Sequence, residues 1–257
     1  MEIAVVGGNG TFGGFITDEL RRRGHNVRVL SRNAPQYKVD LTTGAGLREA
    51  LEGVEVVVNS ANDAKGNPDV LAKGTRRLLA TEAEAHVSHH VLISIVGIDR
   101  APFKYLQAKL DQEQVVRQSP HPSSILRATQ FHQLLDQGFS SMAKYGMSPR
   151  SRIKLQPVDP REVAAAMADG IAEGAWGYVR EVAGPDVHTL SELARTWSRS
   201  TGTRRLPIAL PLMGKNVAAA RNGALTVPEV RGKLSFADWL AEQQRHVRPA
   251  PALAAAA

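Results

Sequence analysis

From residue 1 to about residue 130, short β-branched runs alternate with longer stretches whose apolar positions recur every three or four residues. That alternation is the mark of βαβ units feeding a parallel sheet. The runs are IAVV (3–6), NVRVL (26–30), YKVDL (37–41), VEVVV (54–58), HVLISI (90–95) and SSILRA (123–128). Between them the pattern predicts helices from Thr11 to Arg23, closed by Gly24, and from Gly46 to Glu52, closed by Gly53. Two more are expected, from Pro68 to Glu84 behind an Asn67-Pro68 cap and from Pro102 to about Gln118. Six strands with right-handed crossovers predict an α/β fold, a Rossmann-type doubly wound parallel sheet. Farther on, strands shorten to about 152–156 and 178–183, and helices are expected at about 159–173, 189–200 and 211–222 and around Phe236–Leu240. The organisation read from this is a core over 1–135, a smaller mixed region over 136–248 packed on the carboxyl edge of the sheet and supplying a substrate pocket, and a Pro/Ala-rich disordered tail over 249–257.

Length and composition narrow the class. The 257 residues suit one large domain or one with an appendage, and 43% hydrophobic with 22% charged residues is ordinary for a soluble chain. No apolar run reaches the roughly 18 residues that span a bilayer, and Met1 leads within one residue into IAVV without a charged-then-apolar leader, so a cytoplasmic protein with no membrane partner is expected. The absence of cysteine excludes disulfide scaffolds, thiolate metal sites, iron–sulfur clusters and thiol nucleophiles, so any redox chemistry needs a borrowed cofactor. The charge balance, 32 − 25 = +7, favours phosphate-bearing or polyanionic partners. The clusters Arg21–Arg23 and Arg204-Arg205 lack interleaved aromatics and read as a solvated helix end and a loop, so no specific nucleic-acid partner is expected.

The densest chemical signal is GGNGTFGG at residues 7–14, directly after the first strand and before the first helix. Gly8-x-Gly10-x-x-Gly13 and Gly7-x-x-Gly10-x-x-Gly13 both satisfy the dinucleotide fingerprint. Glycines let the chain turn sharply and a pyrophosphate approach bare backbone, while the helix N-terminus holds the negative charge. Gly7, Gly8, Asn9, Gly10, Thr11, Phe12 and Gly13 are the expected contacts. The second strand then continues Ser31-Arg32-Asn33, without the carboxylate that favours NAD. A guanidinium fork at Arg32 beside Ser31 suits the 2′-phosphate, so NADP(H) is preferred over NAD(H). Asp40, next to Leu41, could accept from the adenine amino group or cap the turn at Leu41-Thr42-Thr43.

GGNGTFGG, LSRN, VDL, ISIVGIDR (93–100), YLQAK (105–109) and ILRATQFH (125–132) together resemble the atypical short-chain dehydrogenase/reductases, and within them the NmrA-like NAD(P)-binding branch. The resemblance is strongest over 1–135 and persists through VDPREVA and PDVHTLSELA. It implies catalysis by a Tyr-x-x-x-Lys pair, matched by Tyr105 and Lys109. At i and i+4 on one helix face the ammonium can sit beside the phenol and the nicotinamide ribose, and a nearby cation lowers a tyrosine pKa. By the same resemblance Ser94 takes the place of the serine that hydrogen-bonds the substrate carbonyl, with Ile95, Val96 and Gly97 lining the nicotinamide region. Asn59, Ser60, Ala61 and Asn62 at one strand end should border the cofactor. Ala128, Thr129, Gln130 and Phe131 at another should touch nicotinamide or substrate, and His132 could act as an acid or substrate contact.

Other constellations carry less. His86, His89 and His90 lie at the approach to the fifth strand, opposite the expected site, and read as solvated loop histidines rather than metal ligands. Asp159 reads as a helix cap and Asp169 as a surface residue. No GxSxG, GxxxxGK[ST] or HExxH occurs. The reading that results is an NADPH-dependent oxidoreductase transferring hydride to a carbonyl, quinone or enone of an apolar small molecule, as monomer or homodimer. A non-catalytic NADP(H) sensor and an NADP-using isomerase or dehydratase are the alternatives.

Overall fold

The computed structural model describes residues 1–203, 205–229 and 232–247. The six expected strands are all present: β1 (Glu2–Val6), β2 (Asn26–Ser31), β3 (Tyr37–Lys38), β4 (Val56–Asn59), β5 (His89–Ile95) and β6 (Ser123–Ala128). Four helices connect them: α1 (Thr11–Arg22), α2 (Leu47–Leu51), α3 (Ala72–Glu84) and α4 (Lys104–Gln118). The strands align in the order β3-β2-β1-β4-β5-β6, all parallel. A seventh parallel strand, β9 (Val179–Val182), pairs with β6, so the later half of the chain completes the sheet.

Alternation of side chains along each strand divides the core into two layers. Ile3, Val5, Val58 and Val91 pack with Ile16 and Leu20 of α1 and with Val163 and Met167 of α6 (Pro160–Glu173). Ala4, Val6, Leu30 and Val57 face the other way, onto α2 and Leu78 of α3, while Leu92 and Ile125 meet Val116 of α4. Gly24 at φ +82° and Gly53 at φ +70° end α1 and α2 as read from sequence.

The rest of the chain forms a third cluster above the carboxyl edge of the sheet. It comprises α5 (His132–Ala143), β7 (Met147–Arg150), β8 (Lys154–Leu155), β10 (His188–Thr189), α7 (Leu190–Ser200), β11 (Leu206–Ala209), α8 (Lys215–Arg221) and α9 (Phe236–Val247). β11 pairs with β7 in parallel and β10 with β8 antiparallel. Phe139, Trp197, Phe236 and Trp239 fill its core. Asp159 caps α6 by accepting from Arg161 N at 2.7 Å, and Asp169 stands at the surface paired with Arg23, both as expected. The cluster is clasped to the sheet by Asn216 Nδ2 donating to Pro102 O at 2.8 Å and Arg100 donating to Thr226 O at 3.2 Å. The 249–257 tail and Arg204 lie outside the described residues.

The histidines depart from expectation. His89 and His90 are buried in β5 rather than solvated. His90 Nδ1 donates to the fully buried Glu82 of α3 at 2.9 and 3.0 Å, and His89 Nε2 meets Ser124 Oγ at 2.8 Å. A carboxylate supplied by a neighbouring helix makes interior imidazoles tolerable, and nothing in their own spacing announces it.

Candidate functional site: the carboxyl edge of the sheet

β1 ends at Val6, and the chain turns at Gly7, whose φ of +74° places it in the left-handed region. A Cβ on Gly13 would lie 2.1 Å from Gly7 O, and one on Gly7 would press at 3.0 Å on the backbone of Ala61. Both contacts require glycine and hold the first turn of α1 hard against the strand end. Gly10, the N-cap of α1, supplies no side-chain hydrogen bond, and the first turn carries no acidic residue. Its leading amides are therefore available to an anion, in a field that favours one. The loop fits the pyrophosphate of a dinucleotide. At its tip Asn9 Nδ2 donates to Ser31 Oγ at 2.8 Å, which fixes the end of β2 beside the loop, and Arg32 stands exposed next to it. Thr11 opens α1 and is exposed, whereas Phe12 is buried and stacks on Phe131 at 5.6 Å. Asp40 resolves to the turn cap: its carboxylate accepts from Thr42 N and Oγ1 at 2.8 and 2.7 Å, which holds it below the usual carboxylate range. Leu41 is core.

The end of β4 is tied down in the same way. Ser60 Oγ donates to Val6 O at 2.7 Å, and Asn59 Oδ1 accepts from Ala61 N at 3.2 Å. Asn59 Nδ2 donates to Thr75 Oγ1 at 3.1 Å, which also receives Gln112 Nε2 at 2.9 Å. Gln112 Oε1 then accepts from Lys109 Nζ at 2.6 Å, and the ammonium's second partner is Ile93 O at 3.1 Å. Each amide in this chain has its orientation set by its neighbours, so two neutral oxygens face Lys109. Burial pushes the lysine down to about 8, against a smaller upward pull from Glu113. Thr75 and Gln112 were not read from sequence; the signal was a polar residue on the buried stripe of each helix, with Gln112 one turn beyond Lys109.

Tyr105 lies one turn before Lys109 on α4, as the spacing requires, and its phenol donates to Asn62 Oδ1 at 2.9 Å. Its pKa moves opposite to expectation: burial raises it, the Asn62 bond partly offsets this, and Asp63 raises it further. The Lys109 ammonium is turned into the sheet, so it does not pull the phenol down. Ser94, on the α4 face of β5, is 2% exposed, and its hydroxyl is buried without a hydrogen-bond partner, as is that of Thr129 after β6. Ala128 is core.

Several expected substrate contacts are structural instead. Val96 is fully buried against Ala183 and Val227. Gly97, at φ +79°, would put a Cβ 1.9 Å from Ala224 O. Gln130 accepts from Gln156 N at 3.1 Å and donates to Leu225 O at 3.4 Å. His132 is fully buried, its ring 5.6 Å from both Phe236 and Trp239 and its Nε2 donating to Leu234 O at 3.2 Å; burial drives its pKa down to about 4. The C-terminal cluster descends onto these strand ends, so residues that would face a cleft on an isolated sheet become its anchor.

A seven-stranded parallel sheet with an uncapped, glycine-built helix N-terminus at the end of β1 defines a dinucleotide-binding α/β protein. The chain belongs to the NAD(P)H-binding family, whose model matches residues 7–173, and its likeness to the NmrA-like atypical short-chain dehydrogenase/reductases holds. It is 38% identical over 68 residues to the epimerase family protein YfhF of Bacillus subtilis, 24% of this chain and 22% of that protein. Over 149 residues it is 24% identical to the photosystem II assembly factor Ycf39 of Trieres chinensis, 52% of this chain and 47% of that one. The matched stretches thus span less than half the length of these two relatives. Among solved structures, the NADPH complex of the NADPH-dependent quinone oxidoreductase QOR2 of Escherichia coli superposes with a TM-score of 0.79 at 18% identity, covering 94% of this chain and 99% of that one. That likeness is one of fold. No helix among the described residues is long and apolar enough to cross a membrane.

Proposed function

We propose that the protein is an NADPH-dependent reductase acting on a carbonyl, quinone or enone of an apolar small molecule. The observation that carries the reading is the placement of the Tyr105 phenol, held at 2.9 Å by Asn62 just beyond β4, on the same sheet edge as the glycine loop. NADPH, when bound, would supply a hydride to the substrate carbon. The chain's residues do the rest. The loop amides and Gly13 hold the pyrophosphate, and Ser31 and Arg32 take the 2′-phosphate. Tyr105 gives its proton to the substrate oxygen as negative charge develops there, and the unpartnered Ser94 hydroxyl is the second donor to that oxygen. The phenol is protonated at neutral pH, as any tyrosine is, and burial, by raising its pKa, makes it a weaker acid than a free one. Lys109 acts by position, its bonds to Ile93 O and Gln112 Oε1 bracing α4 against β5 one turn beyond the phenol.

One observation favours a second reading, a non-catalytic NADP(H) sensor: Lys109 spends two donors on Ile93 and Gln112 and makes no bond to Tyr105. Tyr105→Phe separates the two. On the reductase reading the variant loses about 10²-fold or more in kcat with NADPH affinity kept, the scale of lost general-acid catalysis. Turnover within a few-fold of wild type would remove Tyr105 as the donor.

A further inference from the structure

We propose that the cleft between α7 and the β7/β11 pair is a second anion site, which takes a small ligand carrying at least two phosphate groups. The cleft has a volume of about 1290 Å³ and is lined by Arg150 at the end of β7, Arg195 and Arg199 of α7, and Arg205 leading into β11. Arg195 and Arg199 are four residues apart and share one face of α7. Several arginines elsewhere are spent on carboxylates: Arg23 on Glu19 and Asp169, Arg48 on Glu84, Arg127 on Glu113, Arg161 on Asp159 and Glu242. The guanidinium groups of Arg150, Arg195 and Arg199 make no such bond among the described residues.

Charge concentrates here. Four arginines against the single lining carboxylate, Glu192, give 4 − 1 = +3 of the chain's +7. Glu192 is itself committed, since its carboxylate accepts from Thr189 N and Oγ1 at 2.7 and 2.8 Å to close the capping box of α7. Hydroxyls of Ser148, Thr196 and Ser198 add donors between the arginines. Guanidinium forks with interspersed hydroxyls match phosphate oxygens, and several cations on opposite walls match a ligand with more than one phosphate. The lining includes no Phe, Tyr or Trp ring, its one imidazole being that of His188, and the surface is concave, which sets it apart from a single-strand groove with successive stacking platforms. None of the lining residues belongs to the seven-stranded sheet or the glycine loop, so the site is separate from the dinucleotide edge.

Calorimetric titration at fixed ionic strength tests this, with inorganic pyrophosphate and a nucleoside diphosphate added to the full chain while saturating NADPH occupies the dinucleotide edge. The α7 double variant Arg195→Gln/Arg199→Gln, and Arg150→Gln on the facing wall, should each weaken binding by about tenfold or more, as loss of charge-assisted hydrogen bonds requires. Arg21→Gln/Arg22→Gln should leave it unchanged, and thermal melts check that each variant is folded. Equal affinity for the two ligands assigns an inorganic diphosphate, and tighter binding of the nucleotide assigns an organic ester. Three results would overturn the site: no binding by wild type, equal losses in the Arg21/Arg22 control, or full competition by sulfate at matched ionic strength.

Discussion

Arg32 is exposed and makes no hydrogen bond with another described residue, so its fork can close on a ligand without first breaking a contact. Arg32→Ala should therefore weaken NADPH binding about tenfold while leaving NADH within a few-fold, because only the 2′-phosphate uses the charge-assisted bond. Equal losses for the two nucleotides, measured by fluorescence titration, would contradict the assignment. Lys109 poses the reverse problem, a cation fully enclosed and driven down to about 8 from an ordinary 10.5. Between those pH values the unfolded chain keeps a proton that the folded chain has released, so this group's contribution to stability increases as pH rises through the window. Denaturant midpoints at about pH 8 and pH 10 should show wild type gaining on Lys109→Met. A wild type that gains nothing on the variant would show the ammonium to be better solvated than the structure has it.

At the level of elements, the glycine loop joins β1 to α1 so tightly that one methyl group is decisive. Gly13→Ala would place a Cβ 2.1 Å from Gly7 O, forcing α1 away from the strand end and spreading the amides that face a pyrophosphate. NADPH affinity should fall by about tenfold or more, with far-ultraviolet circular dichroism preserved, since the rest of α1 keeps its burial of Ile16 and Leu20. Affinity equal to wild type would mean that the loop does not hold the dinucleotide. This junction was legible in sequence because the chemistry is local: glycines, strand and helix follow one another directly. So were β1 to β6, whose β-branched runs carry their own period. The partner of β9 was not legible, because a short strand at 179–182 reads the same whether it pairs with β6 or with a neighbour in the C-terminal cluster. Nor were the anchoring roles of Gly97, Gln130 and His132, which follow from where Ala224, Leu225 and Leu234 meet them at the strand ends. Glu82 beneath His90 likewise depends on how α3 packs onto β5.

Across the whole molecule, the sheet and the C-terminal cluster meet at the carboxyl edge. His132 joins α5 to α9 there, and the Phe12–Phe131 stack joins α1 to the approach to α5. The glycine loop, the Tyr105 phenol and the buried Lys109 therefore belong to one packed unit, the kind of frame that keeps a site's geometry fixed. The most direct test of the reductase reading is the rate of NADPH oxidation by the purified protein against a panel of quinones, aromatic ketones and enones. The expected result is enzyme-dependent turnover of at least one class, faster with NADPH than with NADH. Tight NADPH binding with no oxidation by any of them would contradict the reading and favour a protein that senses the dinucleotide without spending it.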